Sequence, residues 1–378
     1  MVDLEMNRYI LARATINPFM VKLAKMFKSR GARVESISIY EPAPEYKEAF
    51  HKCHFLMKRE DKIKQKSKKG MALTYIIIAK NIKKVIKPLK NCDMVIGVSE
   101  PNAFVYFIFL FAKCKKIFYP YDIAYLRYKK YRRNKWYDFL FEKRNFKKAD
   151  AIIHKYPEDS IKNLPFLKDK PTLQFLPYAD KEKMERENDK LEGTHIVYVG
   201  VVYDGIEHVG TFPLKYIFKV IANAGIHIHI YPVNYKDVAN DKEILLLQQS
   251  EYFHLHKPVY GDQFRKELSQ YHWGLYMLHF DKDLFKDEWK QSVFGNKVAD
   301  YVEAGLPVLC NKSLPFVCEI VEKYNLGLSV DHYSEIPSFL STINYGGIQK
   351  NLYLNRHLFC MEHHNHKLID FLEGVCNE

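Results

Sequence analysis

Lys297 and Asp300 lie in the stretch SVFGNKVADYVEAGLPVLCNKSLPFVCEIVEKYNLGLSV, which runs from residue 292 to 330. Three residues apart, they share one face of the helix expected to open after Gly295 and Asn296. A helix start offers unpaired N–H groups and partial positive charge, and a lysine beside it suits a phosphate. A carboxylate one turn on can accept two hydroxyl hydrogen bonds, as a ribose diol offers. The pattern therefore reads either as a grip on a nucleoside diphosphate or as a weak surface ion pair.

The loop VGVVYDGIEHVG, residues 199–210, is a second candidate for the same ligand. It follows an expected strand, and Gly200, Gly205 and Gly210 let backbone N–H groups approach a phosphate. Val201, Tyr203, Asp204 and His208 stand between these glycines. The spacing is not a dinucleotide fingerprint and there is no Walker lysine, which weighs against a nicotinamide or ATP reading. Asp122, in YPYDIAYLRY, also follows a strand and is a candidate general base or a helix cap. Glu100 is a weaker base candidate, and His154 reads as structural. His363 and His366 in CMEHHNH share a helical face, yet solvent-exposed histidines explain them better than a metal site. Packing accounts for His227 and His229 on one strand face.

Short apolar runs alternate with helix-length amphipathic segments along all 378 residues. This is the pattern of parallel sheets covered by helices. Strands are expected at 8–13, 33–39, 93–98, 115–120, 150–155 and 172–177, with a helix over 18–30 stopped by Gly31. The alternation restarts with strands at 195–200, 226–231, 252–256, 274–280, 307–310 and 327–330. The expected architecture is α/β: two doubly wound Rossmann-like domains, residues 1–178 and 194–345, facing each other across a cleft. A polar linker covers 179–193, and a helical segment, 346–378, packs back toward the first domain.

Charge separates the halves. Residues 1–178 carry 38 Lys+Arg against 17 Asp+Glu, a balance of +21, whereas the rest carries 20 against 28, a balance of −8. An anionic partner is therefore expected for the first half only. Basic and aromatic residues interleave over 127–144, and a second basic run covers 58–70 with Lys80, Lys83, Lys84 and Lys87 beyond it. Both suit an anionic membrane surface. No nucleic-acid-binding motif accompanies them, so nucleic acid is the less favoured partner. The longest apolar runs, 71–79 and 103–112, are too short to span a bilayer. No cleavable leader is visible, and seven cysteines without paired spacing suit free thiols in a reducing cytosol.

The stretch 292–330 resembles the donor-binding signature of GT-B glycosyltransferases, which transfer sugars from activated nucleotides. Phe294, Gly295, Asp300, Ala304, Gly305, Pro307, Val308 and Gly327 match it in order. Ser292 stands where the commonest form has a first glutamate, and the Asn296–Lys297 pair resembles a branch in which lysine contacts the phosphate. The resemblance implies a metal-independent transferase with no resident cofactor, using a UDP- or GDP-sugar as co-substrate. It assigns the donor to Gly200, Val201, Tyr203, Tyr260, Ser292, Phe294, Gly295, Asn296, Lys297 and Asp300. Lys297 would neutralise the leaving diphosphate and Asp122 would serve as base. A glycan or lipid-linked acceptor at the inner face of the membrane is the expected partner. Two alternatives are transfer to nucleic acid or protein, and an inactive binding subunit of the same shape.

Overall fold

Strand-length apolar runs fold here into two all-parallel sheets. The computed structural model describes residues 7–58, 80–99, 101–128, 136–167, 169–185, 188–202, 214–278 and 286–377. The first sheet contains β1 (Arg8–Ala12), β2 (Arg33–Tyr40), β3 (Lys52–Met57), β4 (Met94–Val98), β5 (Lys115–Tyr119), β6 (Ala151–His154) and β7 (Thr172–Gln174). Their spatial order is β3-β2-β1-β4-β5-β6-β7. The second contains β8 (His195–Gly200), β9 (His227–Pro232), β10 (Phe253–Leu255), β11 (Trp273–Tyr276), β12 (Val308–Asn311) and β13 (Gly327–Val330), ordered β10-β9-β8-β11-β12-β13. Each order reverses once, between β1 and β4 and between β8 and β11, as in doubly wound folds.

Local sequence explains the covering helices. Pro18–Ser29 starts where the Asn17 side chain accepts from the Met20 N–H, and it ends at Gly31, whose φ is +81°. The apolar run at 103–112 forms the core helix Asn102–Phe111, which buries Phe104, Val105, Ile108 and Phe109. No helix among the described residues is long and apolar enough to cross a membrane.

Two expectations shift. The chain divides into one unit of Met1–Leu176 with Asn365–Glu378, and another of Pro177–His364. Residues 179–193 are thus no free linker but part of the second unit. The Asp180 N–H donates to Glu303 Oε1 at 2.9 Å, Glu185 N–H to the Glu303 carbonyl at 2.7 Å, and Asn188 to Ser269 at 2.7 Å. The expected C-terminal segment is also split, because Tyr345–His364 belongs to the second unit. There His364 is buried, stacks on Tyr178 at 3.9 Å and places Nε2 3.0 Å from the Leu358 carbonyl, so it is a core residue rather than a solvated one.

The second sheet segregates its faces by alternation. Ile196, Tyr198, Ile228, Ile230 and Phe253 enter an apolar core. On the other side, His195, His227, His229, His254, His256 and His272 form a layer of imidazoles. His195 Nδ1 lies 2.8 Å from His229 Nε2, His227 Nδ1 3.0 Å from His254 Nε2, and His229 Nδ1 2.9 Å from His256 Nε2. Tyr271 stacks on His229 at 4.2 Å, and Tyr231 donates to Glu267 at 2.8 Å. Each N···N pair needs a neutral acceptor, so the layer holds together only while mostly uncharged. No three of these groups converge as metal ligands among the described residues.

Burial, reinforced by the neighbouring imidazoles, depresses His229 to about 2, and burial first also brings His254 and His272 to about 4. An unfolded chain takes up these protons near 6.5, so the layer's stability is present above that pH and is lost as pH falls below it. At pH 5, His229 alone should cost about 2 kcal/mol. Urea unfolding should show a lower midpoint at pH 5 than at pH 7.5, with a smaller drop in His229→Leu. An equal drop in that variant would contradict the neutral layer.

Candidate donor site at the crevice between β8 and β11

Strand pairing between β8 and β11 covers only Trp273 with Ile196 and Gly274 with Val197. Beyond those pairs the strands diverge toward their carboxyl ends and a side chain fills the gap. The Tyr301 hydroxyl donates to the Leu275 carbonyl at 2.9 Å and accepts from the Val199 N–H at 3.3 Å. Its ring reaches that position because residue 274 is glycine: a Cβ there would lie 2.2 Å from the Tyr301 Cγ. Tyr301 thereby ties the helix Lys297–Glu303 to the sheet.

That tie places Lys297 at the crevice. A Cβ on Gly200, the last residue of β8, would lie 2.7 Å from the Lys297 Cε and 3.0 Å from Nζ. The ammonium stands 4.0 Å from the centre of the Tyr198 ring and 5.7 Å from that of Tyr276. Removal from water pushes Lys297 down to about 7, with the Asp300 carboxylate opposing the shift. Because the helix has only seven residues, about two turns, the positive charge comes from this ammonium more than from aligned peptide dipoles.

The loop leaving β8 is fixed at its root. Tyr198 donates to the Val201 carbonyl at 2.9 Å, while the Asn234 amide accepts from the Val202 N–H at 3.1 Å and donates to its carbonyl at 2.7 Å. Neither Tyr301 nor Asn234 was marked by the sequence. A tyrosine one residue past Asp300 reads as core, and Asn234 as a turn residue.

The structure brings together Gly200, Val201, Gly295, Asn296, Lys297 and Asp300. Asn296 has a buried Oδ1 that accepts no hydrogen bond among the described residues, and its side chain does not cap the helix. Gly295 leaves room for the Tyr276 hydroxyl, 2.9 Å from where a Cβ would stand. Two assigned residues sit elsewhere. Ser292 is fully buried and its hydroxyl donates to the Glu288 carbonyl at 2.5 Å, so it is spent within its own helix. Phe294 is also fully buried, against Phe316 and Phe359, and shapes the turn from below rather than touching a ligand. Tyr260 is 72% exposed just ahead of the helix Gly261–Ser269. Tyr203, Asp204, His208 and Glu100 lie outside the described residues.

In the first unit, Asp122 follows β5 but is no lone carboxylate. Its oxygens lie 3.2 Å from Arg127 Nη1 and 3.5 Å from Lys155 Nζ. Taking a proton would weaken both ion pairs, so this placement suits positioning the cations better than general-base work. Arg13, which follows β1, donates to the Ser99 carbonyl at 3.2 Å beyond β4 and lies over the Tyr121 ring, as Lys155 does at 4.1 Å. His154 is buried, with Nδ1 3.0 Å from the Tyr156 carbonyl, as a structural histidine should be.

No protein-family model and no curated protein matches the sequence. Solved structures do. Anabaena Alr3699/HepE in complex with UDP and glucose is similar at 10% identity and a TM-score of 0.65, over 98% of this chain and 100% of that one. A glycosyltransferase from Rickettsia africae gives 10% identity and 0.61, over 98% and 99%. A UDP-N-acetylglucosamine 2-epimerase, so described from Listeria monocytogenes, gives 11% and 0.60, over 96% and 95%. Likeness at such identities establishes the fold alone: two parallel-sheet α/β domains, the GT-B fold.

The Tyr301 tie is testable by stability. Tyr301→Phe leaves the Leu275 carbonyl and Val199 N–H without their partner and should cost about 1–3 kcal/mol. Gly274→Ala should cost a similar amount, about 1–3 kcal/mol, by displacing the ring. Since both act on one ring, urea unfolding of the double variant should show less than the sum. Full additivity would contradict the shared contact.

Proposed function

We propose that the chain is a nucleotide-sugar-dependent glycosyltransferase whose donor diphosphate rests against Lys297. The observation that supports this most is a partly buried lysine packed against Gly200 and the Tyr198 ring, at the point where the strand order of the second sheet reverses. A dianion arriving there favours the charged ammonium, so binding draws a proton onto Nζ. Asp300 accepts from the ribose hydroxyls, the Asn296 Oδ1 offers a further acceptor, and the exposed ring of Tyr260 offers a face for the base.

In the transfer, an acceptor oxygen bonds to the anomeric carbon as the bond from that carbon to the diphosphate breaks. The electron pair leaves on the diphosphate oxygen and the acceptor proton is released. Lys297 stabilises the charge that grows on the leaving oxygen, which is the main electrostatic demand of this step. The acceptor is a lipid-linked or polysaccharide intermediate, met at the cytoplasmic face of a membrane. That part rests on the +21 balance of the first 178 residues and on the helix Trp136–Lys148, where Trp136 and Tyr137 are 59% and 47% exposed among basic residues.

A thermal-shift panel of UDP-, GDP-, CDP- and ADP-sugars on wild type and Lys297→Ala tests the donor. At about 100 times its dissociation constant, the right donor stabilises by roughly 2.7 kcal/mol, a shift of several degrees. Lys297→Ala should abolish that shift and lower kcat by about 10²–10³. A shift that survives Lys297→Ala, or none with any donor, would overturn the assignment.

A further inference from the structure

Positive charge gathers at the end of the first unit's sheet opposite Asp122. Arg8, Arg33 and Lys52 begin β1, β2 and β3, whereas Asp122 follows the carboxyl end of β5. Strands of this length separate the two ends by roughly 15 Å. Lys84, on the helical turn of residues 80–86, and Lys87, which opens the 3₁₀ turn Lys87–Lys90, complete the wall of a pocket of about 470 Å³.

Glu35 organises this wall. It is fully buried, and its Oε1 accepts from the Nε atoms of Arg8 at 3.2 Å and Arg33 at 3.0 Å. Its Oε2 accepts from Arg8 Nη2 at 2.8 Å and lies 2.8 Å from His54 Nε2. Arg8 gives its remaining arm to the Asn91 carbonyl at 3.1 Å, which leaves it a frame rather than a free hand. Arg33 commits only Nε to the carboxylate, and its side chain is 52% exposed. Lys52, Lys84 and Lys87 are exposed and make no ion pair among the described residues. Among the described residues, five cations and one carboxylate line this concavity.

A merely solvated lysine face needs no buried organiser. Here a carboxylate out of water sets two guanidinium groups and an imidazole, and three exposed lysines line the same pocket. Their mutual repulsion is relieved by an anion of high charge density. We propose that this pocket is a second anion site that binds a phosphomonoester or diphosphate group, carried by a soluble metabolite or by a lipid headgroup. Arg33, Lys52, Lys84 and Lys87 make the contacts, while Arg8, Glu35 and His54 hold the frame. The site is independent of the donor crevice, which lies in the other unit.

The test uses the full chain carrying Lys297→Ala, so that the donor crevice contributes nothing, and inorganic pyrophosphate as probe. Calorimetric titration should show binding that weakens with salt. The added triple variant Lys52→Ala, Lys84→Ala, Lys87→Ala should weaken it at least tenfold, while Lys83→Ala, exposed but outside the pocket, should not. All four side chains are exposed, so an unchanged unfolding midpoint is expected and serves as the folding control. Co-sedimentation with phosphatidylcholine vesicles, with and without phosphatidic acid, separates the sources. Pyrophosphate-competed capture by the acidic vesicles assigns a lipid headgroup, and pyrophosphate binding without capture assigns a soluble phosphate. No pyrophosphate binding, or equal affinity in the triple variant, overturns the proposal. Failure of the donor panel in wild type would leave this result untouched.

Discussion

The candidate donor site depends on where one lysine is held, against the last residue of a strand. Lys297 holds that position because Gly200 has no side chain to displace it and because Tyr301 anchors its helix where β8 and β11 part. The geometry is demanding at three points. Gly274 must admit the Tyr301 ring, Gly295 the Tyr276 hydroxyl, and Gly200 the lysine stem. Each is a place where one added carbon would push the charge away from the crevice.

Much of the fold was legible because its signals are local. The runs at 195–200 and 327–330 became β8 and β13 without change, since compact apolar segments flanked by polar turns leave few choices. The strand β3 was not, because KCHFLM begins with lysine and carries cysteine and histidine, which suit an edge strand with one wet side. The supposed linker failed for a different reason. The Asp180 backbone N–H bonds to Glu303 and the Asn188 and Lys190 side chains bond to Ser269, and tertiary partners of that kind leave no periodicity in the sequence.

The site divided along the same line. Spacing put Lys297 and Asp300 on one helix face and the resemblance added Gly200, because a helix start and a strand end are both readable. Phe294 matched the pattern and Ser292 stood at a position where the pattern departs, yet both face inward, and a pattern alone does not say which side of a turn a residue presents. Asp122 read as either a base or a helix cap, and its two cations gave no signal in the sequence. Glu35 gave no signal, since an acidic residue inside a strand reads as solvent-facing unless its arginine partners, 27 and 2 residues away, are known.

The account turns on the state of one amine. An NMR pH titration of ¹³C-labelled lysine, with Lys297 assigned by its loss in Lys297→Arg, measures it without any assay of turnover. The desolvated crevice predicts a Lys297 midpoint of about 7 in the free protein, moving upward when UDP is added. A midpoint in the ordinary lysine range, about 10.4, unmoved by UDP, would contradict it.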